Sequence, residues 1–153
     1  MPISRTVRSL SSLLVGASFA ALLTGCVQPI GPACDEDIDC SGSQVCARTS
    51  ECVPSDQLLD VRLSWTFYGQ PASDNTCGSL AISALRVTFE DAFTGDNRSY
   101  EPVVCETGQV YFNKMPARFG SVLVTVLNGN RRLDSTRVWL DTRATEASID
   151  FTP

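Results

Sequence analysis

Four cysteines stand at an unbroken six-residue step, Cys34, Cys40, Cys46 and Cys52. The residues between them are charged, small or polar, with only Ile38 and Val45 clearly apolar. A segment this short and polar cannot bury a core, so covalent cross-links have to replace one. Cys77 and Cys105 lie further along the chain, and a seventh cysteine, Cys26, precedes the run. With Cys26 set aside, six remain, and in an oxidising compartment an even number reads as three disulfides. Within the run an interleaved pairing, Cys34–Cys46 with Cys40–Cys52, is favoured, and pairing of neighbours stays open. Cys77 and Cys105 are expected to pair with each other. Closing so long a loop contributes about 3–4 kcal/mol in the chain-entropy model.

The start of the chain bears on compartment. Met1 to Ser9 carries Arg5 and Arg8 and no acid, and Leu10 to Leu23 is apolar or small throughout. About 14 such residues is the length of a signal-peptide core and falls short of the roughly 20 that a spanning helix needs. The run closes on Leu23-Thr24-Gly25-Cys26. This stretch resembles the bacterial lipobox, a Leu and two small residues before a Cys. The resemblance implies that the Cys26 thiol receives a diacylglyceryl group, that the chain is cut before Cys26, and that the new amino group is acylated with a palmitate-type chain. One acyl chain binds a bilayer only marginally, whereas two or three anchor it in effect permanently. Losing residues 1–25 would leave 128 of 153 residues. Val27 stands where an Asp retains many Gram-negative lipoproteins at the inner membrane, so the resemblance implies a cell-envelope, outer-membrane location.

The chain has 12 basic and 17 acidic residues; without Arg5 and Arg8 the balance is 10 against 17, a net charge of −7. That excludes a nucleic-acid partner, which needs a basic surface. It also excludes electrostatic docking to anionic lipid. There is no histidine, which removes the commonest general base and metal ligand together.

Four segments follow: the leader, 1–25; a lipidated tether, 26–33, whose Pro29, Gly31 and Pro32 make it an extended spacer of about 20–25 Å; a Cys-rich module with its link, 34–57; and a β-domain, 58–153. In the module, Gly42, Cys46, Cys52, Val53 and Pro54 form a Gly-x-x-x-Cys and then a Cys-Val-Pro. This pattern resembles the short Cys-rich modules near the start of many myxobacterial-type lipoproteins, and the resemblance brings no catalytic residue with it. A zinc site would want tight C-x₂₋₄-C pairs, which the five-residue gaps do not supply. Asp35, Asp37 and Asp39 alternate like the first half of an EF-hand loop, but Cys40 and Cys46 occupy the places of the turn Gly and the bidentate Glu. A solvated acidic face is the better account.

From Leu58 the pattern has period two. Leu59, Val61, Leu63, Trp65 and Phe67 alternate with polar residues, as a half-buried strand requires. Further strands are expected over 85–90, 99–105, 109–114, 121–127, 132–140 and 147–151. Pro102 sends the third to an edge. Apolar residues of both parities in the fifth, Val122 to Leu127, make it central. Asn128-Gly129 signals a hairpin, since both residues tolerate positive φ. Gly69 to Ser79 reads as a loop. Seven short strands without helical periodicity predict an all-β, antiparallel seven-stranded β-sandwich behind a small disulfide knot. The expected core is Trp65, Phe67, Leu85, Val87, Phe89, Phe112, Val124 and Val126. Met115-Pro116-Ala117 followed by the alternating Val122 to Val126 resembles the turn and strand of transthyretin-like and carboxypeptidase-regulatory β-domains, with Arg118 in place of that family's Gly. The resemblance implies the architecture and no activity.

The chemistry-bearing motifs are few. Glu90 with Asp91, or Glu101 with Glu106, could pair for acid–base work, but strand ends and turns favour solvated charge. No nucleophile elbow, Walker loop or dinucleotide turn occurs. Tyr68 and Tyr111, on the polar parity of their strands, could form an exposed aromatic face of the kind that binds sugars. The expectation is therefore a membrane-anchored, non-catalytic binding or structural module, with no cofactor, no metal, and an envelope protein or glycan as partner. A carboxylate-based glycan hydrolase and an accessory subunit of an envelope machine are the alternatives.

Overall fold

The computed structural model describes residues 33–140 and 144–153. The leader and Cys26 lie outside the described residues. Among these no helix is long and apolar enough to cross a membrane.

The module consists of a 3₁₀ turn, Asp37–Asp39, and a hairpin of β1 (Gln44–Cys46) and β2 (Cys52–Pro54). Cys34 pairs with Cys46 and Cys40 with Cys52, the interleaved arrangement. Asp39 accepts hydrogen bonds from the backbone N–H groups of Asp35 and Glu36, both at 2.9 Å. The buried residues of the module's own cluster are Cys34, Cys46 and Cys52, so sulfur stands where a core would.

A second 3₁₀ turn, Ser55–Gln57, leads into β3 (Leu58–Phe67). Then come β4 (Gln70–Pro71), a short helix α1 (Asp74–Ser79), β5 (Ala84–Glu90), β6 (Asn97–Val103), β7 (Gln109–Pro116), β8 (Ser121–Asn128), β9 (Arg131–Trp139) and β10 (Ala144–Phe151). One sheet has β3 in the middle, with β10 on one flank and β7 and the two-residue β4 on the other. The second sheet has the order β6-β5-β8-β9. The strand carrying Pro102 is thus an edge strand, and β8 is internal.

The alternation of the sequence becomes the core. Val61, Leu63, Trp65 and Phe67 of the first sheet face Leu85, Val87, Phe89, Val122, Val124 and Val126 of the second, all at most 2% exposed. Phe112 and Phe89 meet edge to face, with ring centroids 5.0 Å apart. All eight expected core residues are buried, and Met115, Phe119 and Phe151 join them. The Cys77–Cys105 disulfide ties α1 to the end of β6. The carbonyl of Cys105 accepts the indole N–H of Trp65 at 2.9 Å, which satisfies the one polar group of that buried ring.

Three local expectations need correction. The sandwich is not wholly antiparallel: β10 runs parallel to β3 over eight residue pairs, Ala144↔Asp60 to Phe151↔Phe67. Alternation fixes which face a strand buries, not the direction of its neighbour. The β8–β9 turn lies one residue later than Asn128-Gly129. Asn128 pairs with Arg131, and the turn residues are Gly129, at φ +54°, and Asn130, as in a type II′ turn with Gly first. Finally, the Gly69 to Ser79 segment contains α1, whose first turn is held by the Ser73 hydroxyl accepting from the Thr76 N–H.

Candidate functional site

The module is fastened to the sandwich, and the fastening begins at an irregularity of β7. Register slips between Leu59 and Val61 opposite Phe112 to Met115, and Lys114 in that bulge takes φ +54°. A bulge re-aims its residues out of the ladder. Here it turns the Lys114 carbonyl to the Arg48 N–H at 2.9 Å and the Lys114 ammonium to both oxygens of Asp37 at 2.8 Å. Lys114 and the N–H of Cys46 hold the Asp37 carboxyl below its usual range.

Arg118 makes the second fastening. Its Nη2 donates to Glu51 Oε1 at 2.7 Å, and its Nη1 lies 3.1 Å from Asp96 and 3.7 Å from Asp91. Three segments meet on this one guanidinium: the β1–β2 turn, the β5–β6 turn and the β7–β8 turn. Burial opposes the Arg118 charge, but Glu51 and Asp96 outweigh it and raise its pKa. Burial likewise pushes the Asp91 carboxyl up. The N–H groups of Phe93 and Thr94, the Thr94 hydroxyl and the Arg118 charge prevail, and the net shift is downward. A cleft of about 340 Å³ runs beside this network, lined by Glu51, Val53, Pro54, Gln57, Pro116 and Arg118.

A second cleft, of about 430 Å³, opens on the outer face of the β6-β5-β8-β9 sheet. Register places Asn97, Glu90, Ser121 and Trp139 in one row across the four strands. Glu90 accepts from the Ser121 hydroxyl at 3.1 Å and pairs with Arg137 at 2.9 Å. Trp139 is 69% exposed.

Compared with known proteins, the chain matches no family model, no curated protein and no solved structure.

The sequence-derived candidates sort as follows. Glu90 and Asp91 border one cleft, but Glu90 is committed to Arg137 and Ser121, and Asp91 to its own turn and Arg118. Glu101 is paired with Arg86 at 2.5 Å, while Glu106 stands exposed on a 3₁₀ turn, Cys105–Thr107. A general acid needs a raised pKa, and each carboxylate with a resolved shift, Asp37, Asp39, Asp91 and Asp150, is lowered. The sulfurs of Cys34, Cys40 and Cys52 lie within 4.8 Å of one another, yet each is in a disulfide and offers no thiolate.

Tyr68 and Tyr111 do not form one platform. Tyr111 pairs with Arg62, six residues along β3 from Tyr68, a distance of roughly 20 Å. The Tyr68 hydroxyl donates to the Pro153 carbonyl instead. Sequence reasoning passed over Arg118 and Trp139. Arg118 registered only as a departure from a family turn, because its partner Glu51 is 67 residues away. Trp139 sat in an expected strand whose parity did not announce a free indole.

Proposed function

We propose that this protein is a lipid-anchored lipoprotein of the cell envelope whose disulfide module and β-sandwich act together as a non-catalytic binding or structural unit at the outer membrane. The observation that carries the reading is Leu23-Thr24-Gly25-Cys26 at the end of a short apolar run, ahead of six cysteines that are all paired. Disulfides persist where thiols are oxidised, which is the side of a membrane that a lipobox leads to. Acylated Cys26 would hold the chain on the bilayer, and the module, docked through Lys114 and Arg118, would extend the sandwich from that point. The non-catalytic part of the reading is supported by the commitment of the cleft carboxylates to charge pairs and by the absence of histidine from the whole sequence.

The test is metabolic labelling with an alkyne analogue of palmitate, with mass spectrometry of the amino-terminal peptide. Label on a chain beginning at Cys26, lost in Cys26→Ser, is the expected result. An unlabelled protein that still begins at Met1 would refute the anchor.

A further inference from the structure

We propose that the cleft beside Trp139 binds a neutral hexopyranose unit of a glycan. This deepens the reading of the sandwich as a binding unit and is independent of the acyl anchor, so the labelling test and the test below fail separately.

The two tryptophans of the chain have opposite fates. Trp65 is buried at 2% exposure with its N–H satisfied. Trp139, at the end of β9, leaves most of its indole in water. Apart from Leu123, the described residues of the neighbouring row on this outer face are polar. Behind the row that ends at Trp139, Ser99, Thr88, Leu123 and Arg137 form the next, about 4.8 Å apart from strand to strand. The Thr88 and Ser99 hydroxyls are bonded to each other at 2.9 Å. The indole is therefore an exposed, flat apolar surface at the border of a largely polar field.

A pyranose ring has matching chemistry, with a face of C–H bonds that packs on an aromatic ring and an edge of hydroxyls that both donate and accept. Glu90 and Arg137 are the groups to meet that edge. Their mutual pair and the Ser121 hydroxyl hold both planar side chains in place before a ligand arrives, which lowers the ordering cost of binding. The same charges choose among ligands. Glu90, Asp91 and Asp96 border the cleft with Arg137, but Arg137 is already paired with Glu90 and Arg118 with Asp91 and Asp96, so a phosphate would have to break one of these pairs to find a cation. The Arg137 guanidinium carbon lies 6.0 Å from the Trp139 ring centroid and already supplies the cation that an indole face attracts. A neutral, hydroxyl-rich ring meets none of these penalties.

The experiment uses the full-length protein in a detergent without a sugar head group. Three probes are titrated: cellotriose, maltotriose and the β-1,4-linked trimer of N-acetylglucosamine. Because Trp65 is enclosed, a blue shift in tryptophan emission reports Trp139. We expect a saturable shift with at least one trimer. Trp139→Ala should abolish the shift and weaken binding, measured by equilibrium dialysis, at least about tenfold. Trp139→Phe should retain part of the affinity, and Tyr111→Ala, on the other sheet, should retain all of it. The proposal is overturned if no trimer binds at about 10 mM, if a trimer binds Trp139→Ala as well as the parent, or if tetramethylammonium produces the shift and the sugars do not.

Discussion

Arg118 donates to Glu51 across 2.7 Å, and Glu51 is only 6% exposed. Through this bond the disulfide module, which has almost no apolar core, is joined to a domain that has one. Arg118→Ala strips the counter-charge from Glu51 and Asp91 together. Removing one partner of a buried pair is strongly destabilising, and the partial exposure of Arg118 moderates it, so a loss of about 2–4 kcal/mol in urea unfolding is expected. The exposed pair Arg62–Glu146 is the contrast, and Arg62→Ala should leave the unfolding midpoint almost unmoved. Equal effects of the two substitutions would remove Arg118 from its role as a fastening.

Asp91 predicts a dependence on pH. Its carboxyl is held below its ordinary value of 3.8, so the folded chain binds the proton more weakly than the unfolded one. The stabilisation is complete above the ordinary value and is lost as pH falls through the lower, folded value. Unfolding midpoints compared between about pH 5 and about pH 2.5 should fall more steeply for the parent than for Asp91→Asn. Parallel curves would show that Asp91 contributes nothing to the acid limb.

Cys77–Cys105 spans 28 residues and positions the carbonyl that accepts from Trp65. Replacing both cysteines with Ala should cost about 3–4 kcal/mol and red-shift the Trp65 emission as water reaches the indole. A double variant with parental stability would show that β6 and α1 hold that carbonyl unaided.

Gly129 tests the turn alone. A Cβ built there meets no atom within 4 Å, so Gly129→Ala is strained only by its φ of +54°. The expected loss is about 1 kcal/mol, and Gly129→Asn should lose less. A neutral Ala variant would mean that the turn can change its type without disturbing β8 and β9.

What could be read in the chain followed the range of each signal. Period two in Leu59 to Phe67 and in Leu85 to Phe89 is a property of one strand and its face, and it identified the core. The mark of Pro102 is local too, since a missing N–H restricts a strand to an edge whatever its neighbours are. The six-residue cysteine step left two pairings open because both close loops of similar entropy. The relations that build the junction are longer. Nothing near Arg118 announces Glu51, and nothing near Lys114 announces Asp37, 77 residues before it. The α1 turn was hidden by composition: Gly, Pro, Ser and Asn suit a loop, and Ser73 with the Cys77 bond holds six residues helical regardless. Trp139 was missed because an aromatic in a strand is ordinarily a core residue, and the register that leaves it outside is set by Ser121 on the adjacent strand.

The parallel pairing of β10 with β3 makes assembly of this domain a closing event. Thr66 and Asp150 share a hydrogen bond across 84 residues, and Phe151 stacks against Phe67. A chain in which β10 has not yet docked leaves that flank of β3 bare, however well the other hairpins have formed. Incompletely folded copies therefore expose a flank of β3 that finished ones cover, and their safety rests on delay or on escort until β10 docks.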